Sequence, residues 1–477
     1  MMYIPTIGLE IHMIVKTKTK MFCSCPNSFE DGNPNINVCP VCLAHPGTIP
    51  VANEEAIRAV VRLGLALNGA IATTSHFDRK SYFYPDLPKG YQISQYDEPF
   101  VSHGMLHGIR ITRVHLEEDA GRLLHDIAGK KADATYVDYN RAGSPLMELV
   151  TEPDIKNADE AVAFAKELQR IVRYLGISDA DMEKGQMRVE ANISISKKSG
   201  ELGTKVEVKN INSFRAVHDA ILFELQRQEE VLESGGTIHQ ETRGWNDVKR
   251  ITESQRSKES AHDYRYFPEP DLAPIDLSSW DIEGMKRGLP ELPEAKRDRL
   301  VVQYGLSKDL VELLIDQPEW ANYFENAVSE LRTEEKDPNI VLLANYLTSD
   351  LKGLMNVKNV GFDQLKITPE NFADLVRLVD DGKLSSRLAK DILVKMFETG
   401  EDPEVIMREG GIRVIGGEEE LMPVIEEILS KNPKAIEDFK KGKMNSIQFL
   451  VGQGMARTKG QASPDILKVL FEKKLSE

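Results

Sequence analysis

Several common signals are missing from this 477-residue chain, and each absence removes a class of protein. It has no apolar run of 18 residues, and no basic region near its start leads into an apolar stretch and a small-residue cleavage site. A membrane protein or a secreted one is therefore not expected; the expected compartment is the cytoplasm. No G-x-x-x-x-G-K-[ST], no G-x-G-x-x-G and no G-x-S-x-G occurs, so P-loop, dinucleotide-fold and serine-elbow readings lose their usual support. Positive charge is in short supply: 60 Lys and Arg face 76 Asp and Glu, a net charge of -16. That balance discourages a general DNA or RNA binder, because phosphate contacts need local cations. It leaves room for a large ordered RNA gripped by one basic module. Cysteine is scarce too, with only four, which argues against a disulfide scaffold and leaves metal binding as their natural use.

All four lie within residues 23–42, as Cys23-Ser24-Cys25 and Cys39-Pro40-Val41-Cys42, with a turn-like Pro34-Asn35-Ile36-Asn37 between the pairs. Two close thiolate pairs folded onto one ion make a closed structural zinc site with no open position for substrate; four merely reduced thiols are the alternative. Just upstream, residues 3–13 read as a strand whose period of two puts Glu10 and His12 on one face. Loss of the zinc should loosen that strand. His115-Leu116-Glu117-Glu118-Asp119-Ala120-Gly121 packs three carboxylates after an apolar strand, and Glu148 follows residues 140–147. Like charges at that density need solvent or cations, and hard oxygen ligands suit Mg²⁺. A cleft of carboxylates and cations fits phosphoryl transfer or metal-assisted hydrolysis. Residues 79–92 offer cations, aromatics and a turn glycine in one stretch, suited to stacking a nucleotide or terminal adenosine, or equally to packing at a domain seam.

The expected fold class is α+β. Strands are read at 3–13, 108–116, 134–139, 186–195 and 204–208, and helices at 54–67, 161–175 and 214–234. After Leu289-Pro290-Glu291-Leu292-Pro293 the pattern turns helical. This divides the chain into a sheet-rich domain over 1–292, a helical domain over 293–405 and a small tail over 406–477. The tail carries Lys440, Lys441, Lys443, Arg457, Lys459 and Lys468 and is the candidate RNA-touching module.

Long motifs then carry a specific resemblance. Gly8-Leu9-Glu10-Ile11-His12, Lys20-Met21-Phe22-Cys23-Ser24-Cys25, Val38-Cys39-Pro40-Val41-Cys42-Leu43 and Tyr82-Phe83-Tyr84-Pro85-Asp86-Leu87-Pro88-Lys89-Gly90-Tyr91-Gln92 are four of them. His115 to Gly121, Asp263-Tyr264-Arg265-Tyr266-Phe267-Pro268-Glu269-Pro270-Asp271-Leu272, Lys209-Asn210-Ile211-Asn212-Ser213-Phe214, Gln240-Glu241-Thr242-Arg243 and Phe449-Leu450-Val451-Gly452-Gln453 extend the match nearly end to end. Together they resemble the B-subunit family of the bacterial aspartyl/glutamyl-tRNA(Asn/Gln) amidotransferases, the GatB/GatE family.

The resemblance implies a kinase-like cradle, a helical domain and a tail domain that contacts tRNA. It implies a carbon–nitrogen ligase using ATP, Mg²⁺ and a structural Zn²⁺. ATP phosphorylates the side-chain carboxylate of Glu-tRNA(Gln) or Asp-tRNA(Asn), and ammonia from the glutaminase A subunit displaces the phosphate, with a C subunit completing the heterotrimer. Carried onto this chain, it implies Mg²⁺ ligands at His12, Glu118 and Glu148 with Glu10 nearby, and zinc ligands at Cys23, Cys25, Cys39 and Cys42. Arg79, Lys80 and Tyr82 are expected at phosphate and substrate. Two departures from the family pattern stand out. Residues 452–455 place a glycine where an apolar residue is usual, softening one helix by roughly 1 kcal/mol, and residues 123–133 are longer than the family turn, a change a surface hairpin tolerates. Two other readings remain: a catalytically inactive tRNA-binding subunit, and an unrelated Mg²⁺-dependent hydrolase.

Overall fold

The computed structural model describes residues 3–28, 33–127, 130–198, 200–257, 264–334, 338–411, 417–440, 445–458 and 460–476. Two compact units divide the chain, Met1–Pro293 and Glu294–Glu477. The first is sheet-rich and the second helical, so the mixed α and β expectation holds at that level.

In the first unit the sheet is organised by alternation along its central strands. β1 (Ile4–Ile14), β2 (Ile109–Glu118), β3 (Pro145–Thr151), β4 (Met187–Ser196), β5 (Val206–Ile211), β6 (Glu241–Asn246) and β7 (Ile251–Ser257) lie in the order β7-β6-β5-β4-β1-β3-β2. Short strands Val101–Ser102 and Ala70–Ile71 extend the β2 edge. Neighbours pair antiparallel except β5 with β6. On β1, Ile7, Leu9, Ile11 and Met13 are fully buried. Val114 and Leu116, Met147 and Leu149, and Val189, Ala191 and Ile193 continue that apolar face on the neighbouring strands. The opposite face carries Glu10, His12, His115, Glu117, Glu148, Arg188 and Glu190, because successive side chains of a strand point to opposite sides.

Three helices belong to the same apolar core: α1 (Glu54–Ala66), α2 (Ala158–Tyr174) and α3 (Phe214–Glu233). Each starts at a side-chain cap, Asn53, Asn157 or Ser213, accepting a backbone N–H of its first turn. At α2, Glu160 also accepts from Lys156 N and from Asn157 Nδ2, each at 2.8 Å. β3 has apolar residues on both faces, which hid its alternation in the sequence. Of the long 123–133 segment, residues 128 and 129 lie outside the described residues, and the rest belongs to an antiparallel pair, Arg122–Ile127 with Lys130–Asp138, separate from the main sheet.

A small three-stranded sheet joins Phe267–Pro268, Asp78–Ser81 and Tyr91–Ser94. It is pinned to β2 by hydrogen bonds: Leu116 N donates to Gln95 Oε1 at 3.0 Å, and Gln92 Nε2 to Glu118 O at 2.7 Å.

The second unit holds two separate apolar clusters, one from Leu300 to Ile406 and one from Leu421 to Leu475. Residue 405 lies inside the helix Pro403–Glu409, whose Ile406 packs into the first cluster. A π-helical turn, Tyr346–Leu351, lies between the helices Ile340–Asn345 and Lys352–Lys358. In the tail helix Asn445–Arg457, a Cβ at Gly454 would stand 2.9 Å from Leu467 Cδ1 of helix Pro464–Ser476, so a side chain there would require Leu467 to shift. Of the basic tail residues, Lys441, Lys443 and Lys459 lie outside the described residues, as does Asp263. Arg457 Nε sits 3.1 Å from Glu427 Oε2. Among the described residues no helix is long and apolar enough to cross a membrane.

Candidate active site

Register assembles the cleft floor. His12 stands opposite both Glu148 on β3 and Arg188 on β4, and Glu148 stands opposite His115 on β2. Four polar side chains therefore form one row across four strands. Glu148 Oε2 lies 3.3 Å from His12 Nε2 and 3.2 Å from His115 Nε2, while Glu117 Oε1 lies 3.8 Å from His12 Nε2. Ser94 Oγ donates to Glu117 Oε2 at 3.1 Å and fixes its direction.

Charge in this row is strongly coupled. Burial alone would lower the His12 pKa, but Glu148, with Glu190 and Glu117 behind it, outweighs burial and raises it to about 9. Burial would raise Glu148, and the two imidazoles outweigh that, holding its carboxyl well below the usual range. One donor atom each from His12, Glu117 and Glu148 lies within 4.8 Å of the other two. Two carboxylate oxygens and an imidazole fit a hard divalent cation that keeps its remaining positions for water and phosphate oxygens.

Glu118 is a correction to the ligand set. Its side chain is on the other face from Glu117, where it pairs with Lys89 and accepts from Ile93 N at 2.9 Å. There it lines a cavity of about 40 Å³ with Cys23, Cys42, Tyr91 and Asp271. Adjacent strand residues cannot both face one cleft, so Glu117 and not Glu118 joins His12 and Glu148. The signal for Glu117 was present: His115-x-Glu117 repeats the two-residue spacing of Glu10-x-His12. Asp119, the third carboxylate, is an arginine anchor, 3.0 Å from Arg188 Nη2 and 3.2 Å from Arg141 Nε. Burial would raise its pKa, and those two cations override it downward.

Glu10 stands beside the row in a second cluster with Glu190 and Glu207, whose oxygens lie within 4.8 Å of one another. Lys209 Nζ already compensates them, 2.7 Å from Glu190 and 3.7 Å from Glu207, and Asn192 Nδ2 donates to Glu10 at 2.8 Å. Burial first, then Glu148, Glu190 and Glu207, raises the Glu10 pKa.

Arg79 is also corrected. Its guanidinium makes a fork to the buried Glu269 carboxylate at 2.8 and 2.5 Å and lies 4.0 Å from the Tyr91 ring centre, so it is a structural clamp rather than a free phosphate ligand. Glu269→Gln should destabilise the first unit by about 3 kcal/mol, because a buried pair losing one charge strands the other. Urea unfolding of the chain checks this; a change under about 0.5 kcal/mol would remove the clamp role. Lys80 and Tyr82, in contrast, are brought to the cleft: burial would lower the Lys80 pKa, yet Glu117, with Glu148 also contributing, raises it.

The cysteines converge as their spacing implies, with one sulfur from each within 4.8 Å of the rest and Cys39 and Cys42 Sγ 3.9 Å apart. Tetrahedral Zn–S bonds place sulfurs about 3.8 Å apart, so the donor set fits zinc. Cys23 hydrogen-bonding to Cys42, and further off Lys20, lowers the Cys42 thiol to about 5 against burial. Lys20 is fully buried, its Nζ 4.0 Å from Cys42 Sγ and 3.2 Å from Tyr139 O. The cysteine loop is tied to the segment entering β3: Met21 N donates to Gly143 O at 2.7 Å and Asn37 N to Asn140 Oδ1 at 2.9 Å.

Comparison with known proteins gives a consistent outcome. Residues 5–283 match the family model described as the GatB/GatE catalytic domain, and residues 322–475 match that described as the GatB domain. The chain is 45% identical to the B subunit of the aspartyl/glutamyl-tRNA(Asn/Gln) amidotransferase of Thermoanaerobacter pseudethanolicus over the whole of both chains. It is 45% identical to the same subunit from Thermotoga maritima over 100% of this chain and 99% of the relative. For the one from Rippkaea orientalis the identity is 44%, covering 99% and 98%.

Proposed function

Because this chain belongs to the GatB/GatE family, we propose that it acts as the B subunit of a tRNA-dependent amidotransferase and that its reacting groups meet over the His12–Glu117–Glu148 cluster. The observation that carries this reading is that cluster, whose Glu117 and Glu148 charges act on the half-buried Lys80 ammonium, within the catalytic-domain match.

A side-chain carboxylate is inert toward ammonia because its oxygen leaves poorly. In the proposed sequence a carboxylate oxygen of the aminoacyl ester attacks the γ-phosphorus of ATP, the bond to ADP breaks, and an acyl phosphate forms. Ammonia then attacks the acyl carbon, phosphate departs with the C–O bonding pair, and the nitrogen gives a proton to that phosphate. Mg²⁺, held by His12, Glu117 and Glu148, would neutralise charge on the phosphate oxygens. Lys80 adds a second cation where two anions meet, and Tyr82 closes the wall beside it. Arg188 and Arg141 keep Asp119 occupied and so hold the far end of β2 in place. The acyl phosphate must be kept from water, which favours ammonia delivered by a glutaminase partner rather than taken from solvent. The zinc centre has no open position and serves structure. A kinase-like cradle, a helical domain running through the helix Pro403–Glu409 and a tRNA-contacting tail beyond it complete the assignment, in a cytoplasmic complex with A and C subunits.

Assembled with those partners, the chain should release ADP from ATP only when mischarged tRNA is present. Binding of the tRNA without ADP release would leave the inactive-subunit reading standing. Lys443→Ala with Lys459→Ala should weaken tRNA affinity roughly tenfold at moderate salt and shallow its salt dependence by about two counterions. Equal affinity at every salt concentration would remove the tail from the RNA footprint.

A further inference from the structure

Lys80 is held in an unusual way. Among the described residues no hydrogen bond or ion pair engages its ammonium, although the fields of Glu117 and Glu148 reach it. Instead Nζ lies 4.9 Å from the Tyr264 ring centre and 5.6 Å from that of Tyr82. Those two rings meet edge to face at 5.9 Å, and Tyr264 meets Tyr266 in the same way at 6.2 Å. Tyr266 is itself stacked on Tyr96 at 4.5 Å with 17° between the planes. The aromatic wall is tied to the strand that carries Lys80, since Phe267 pairs with Arg79 and Pro268 with Asp78, and Arg79 is clamped by Glu269.

A lysine ammonium on a four-carbon stem is a mobile point charge unless something orders it. A ring face attracts the cation without using up any of its three N–H donors. We propose that Tyr264, seconded by Tyr82, is a positioning residue that holds the Lys80 ammonium by cation–π contact near the His12–Glu117–Glu148 cluster, with its donors free for an anionic phosphoryl group. This rests on the functional reading above, in which phosphoryl transfer occurs over that cluster. Carboxylate contact in place of the rings would have tied the ammonium down and filled its donors; the rings aim it and leave them open. Tyr266 and Tyr96 act one step further out, fixing the edge of Tyr264.

The test replaces Tyr264 in the assembled complex with phenylalanine and with phenylalanines carrying one, two and three ring fluorines. Fluorine drains the ring face while hardly changing its shape. Tyr264→Phe should release ADP in single turnover within about twofold of the natural chain, because the hydroxyl is not used. Each added fluorine should slow it further, to a total of about tenfold, and the same series built on Lys80→Met should be flat. A structural role would not follow ring electron density. As a readout apart from turnover, the ¹³C signal of reductively methylated Lys80 should lie upfield by ring current and move downfield in Tyr264→Leu. A flat fluorine series with Lys80 present, or an equally steep one without it, overturns the proposal. If the natural complex releases no ADP, the functional reading fails instead; the Lys80 signal then decides the contact alone, and the absence of a ring-current shift overturns it.

Discussion

Glu148→Gln, in the complex, should bind mischarged tRNA as tightly as the natural chain and release ADP at least about a thousandfold more slowly. The carboxylate sits on β3 between two imidazoles, 3.3 Å from His12 and 3.2 Å from His115, and no other group among the described residues touches both. Glutamine keeps the shape and removes the charge, so the amide loses its hold on a divalent cation while the sheet register survives. A fall below about tenfold would mean that the divalent cation is held elsewhere. The same substitution has a pH signature in metal-free protein. His12, raised from 6.5 to about 9, contributes stability that is fully present below 6.5 and is lost as pH rises through 9. Glu148, lowered below 4.5, contributes stability present above 4.5 and lost as pH falls through its depressed value. The stability gap between the natural chain and the variant, measured in chelator, should therefore be widest between pH 4.5 and 6.5 and shrink above about 9. A gap independent of pH would show that the imidazole and carboxylate are not coupled.

Cys42→Ser should remove zinc altogether and lower the melting temperature of the chain by roughly 10–20 °C, on the order of 5 kcal/mol. The four cysteines lie outside any regular element, between β1 and α1, so an ion held by them would carry much of their order. The effect should spread because the loop is bonded to Gly143 and Asn140 at the entrance to β3 and follows directly from β1. Both strands carry cluster residues, so ADP release should fall along with stability. Elemental analysis with thermal denaturation checks the result. Full zinc content in the variant would show that three cysteines suffice, and an unchanged melting temperature would make the centre incidental to the fold.

Glu117 and Glu118 are identical in type and adjacent, and although the two-residue spacing sets Glu117 on the side of His115, nothing in the local pattern says which side of β2 meets His12. The choice is made by which face of β2 meets His12, a consequence of Glu148 pairing with His115. Arg79 and Lys80 pose the same problem: both are cations on one strand, and the chain must return through residues 264–269 before one is clamped by Glu269 and the other faces tyrosines. A partner 190 positions away leaves no trace in either segment taken alone.

What residue order alone determined was everything governed by spacing: the cysteine quartet, the alternation that sets Glu10 and His12 on one side, the capped amphipathic helices, the change to helix after residue 290, and family membership through long motifs. Those features depend on the 2.0 and 3.6 periods and on short loops, which are local geometry. Only the folded sheet decided the composition of the cluster, the separation of Glu10 into its own lysine-compensated group and the aromatic setting of Lys80. Register between strands far apart in sequence is a cooperative result of packing, and charge coupling at 3–4 Å exists only once that packing has formed.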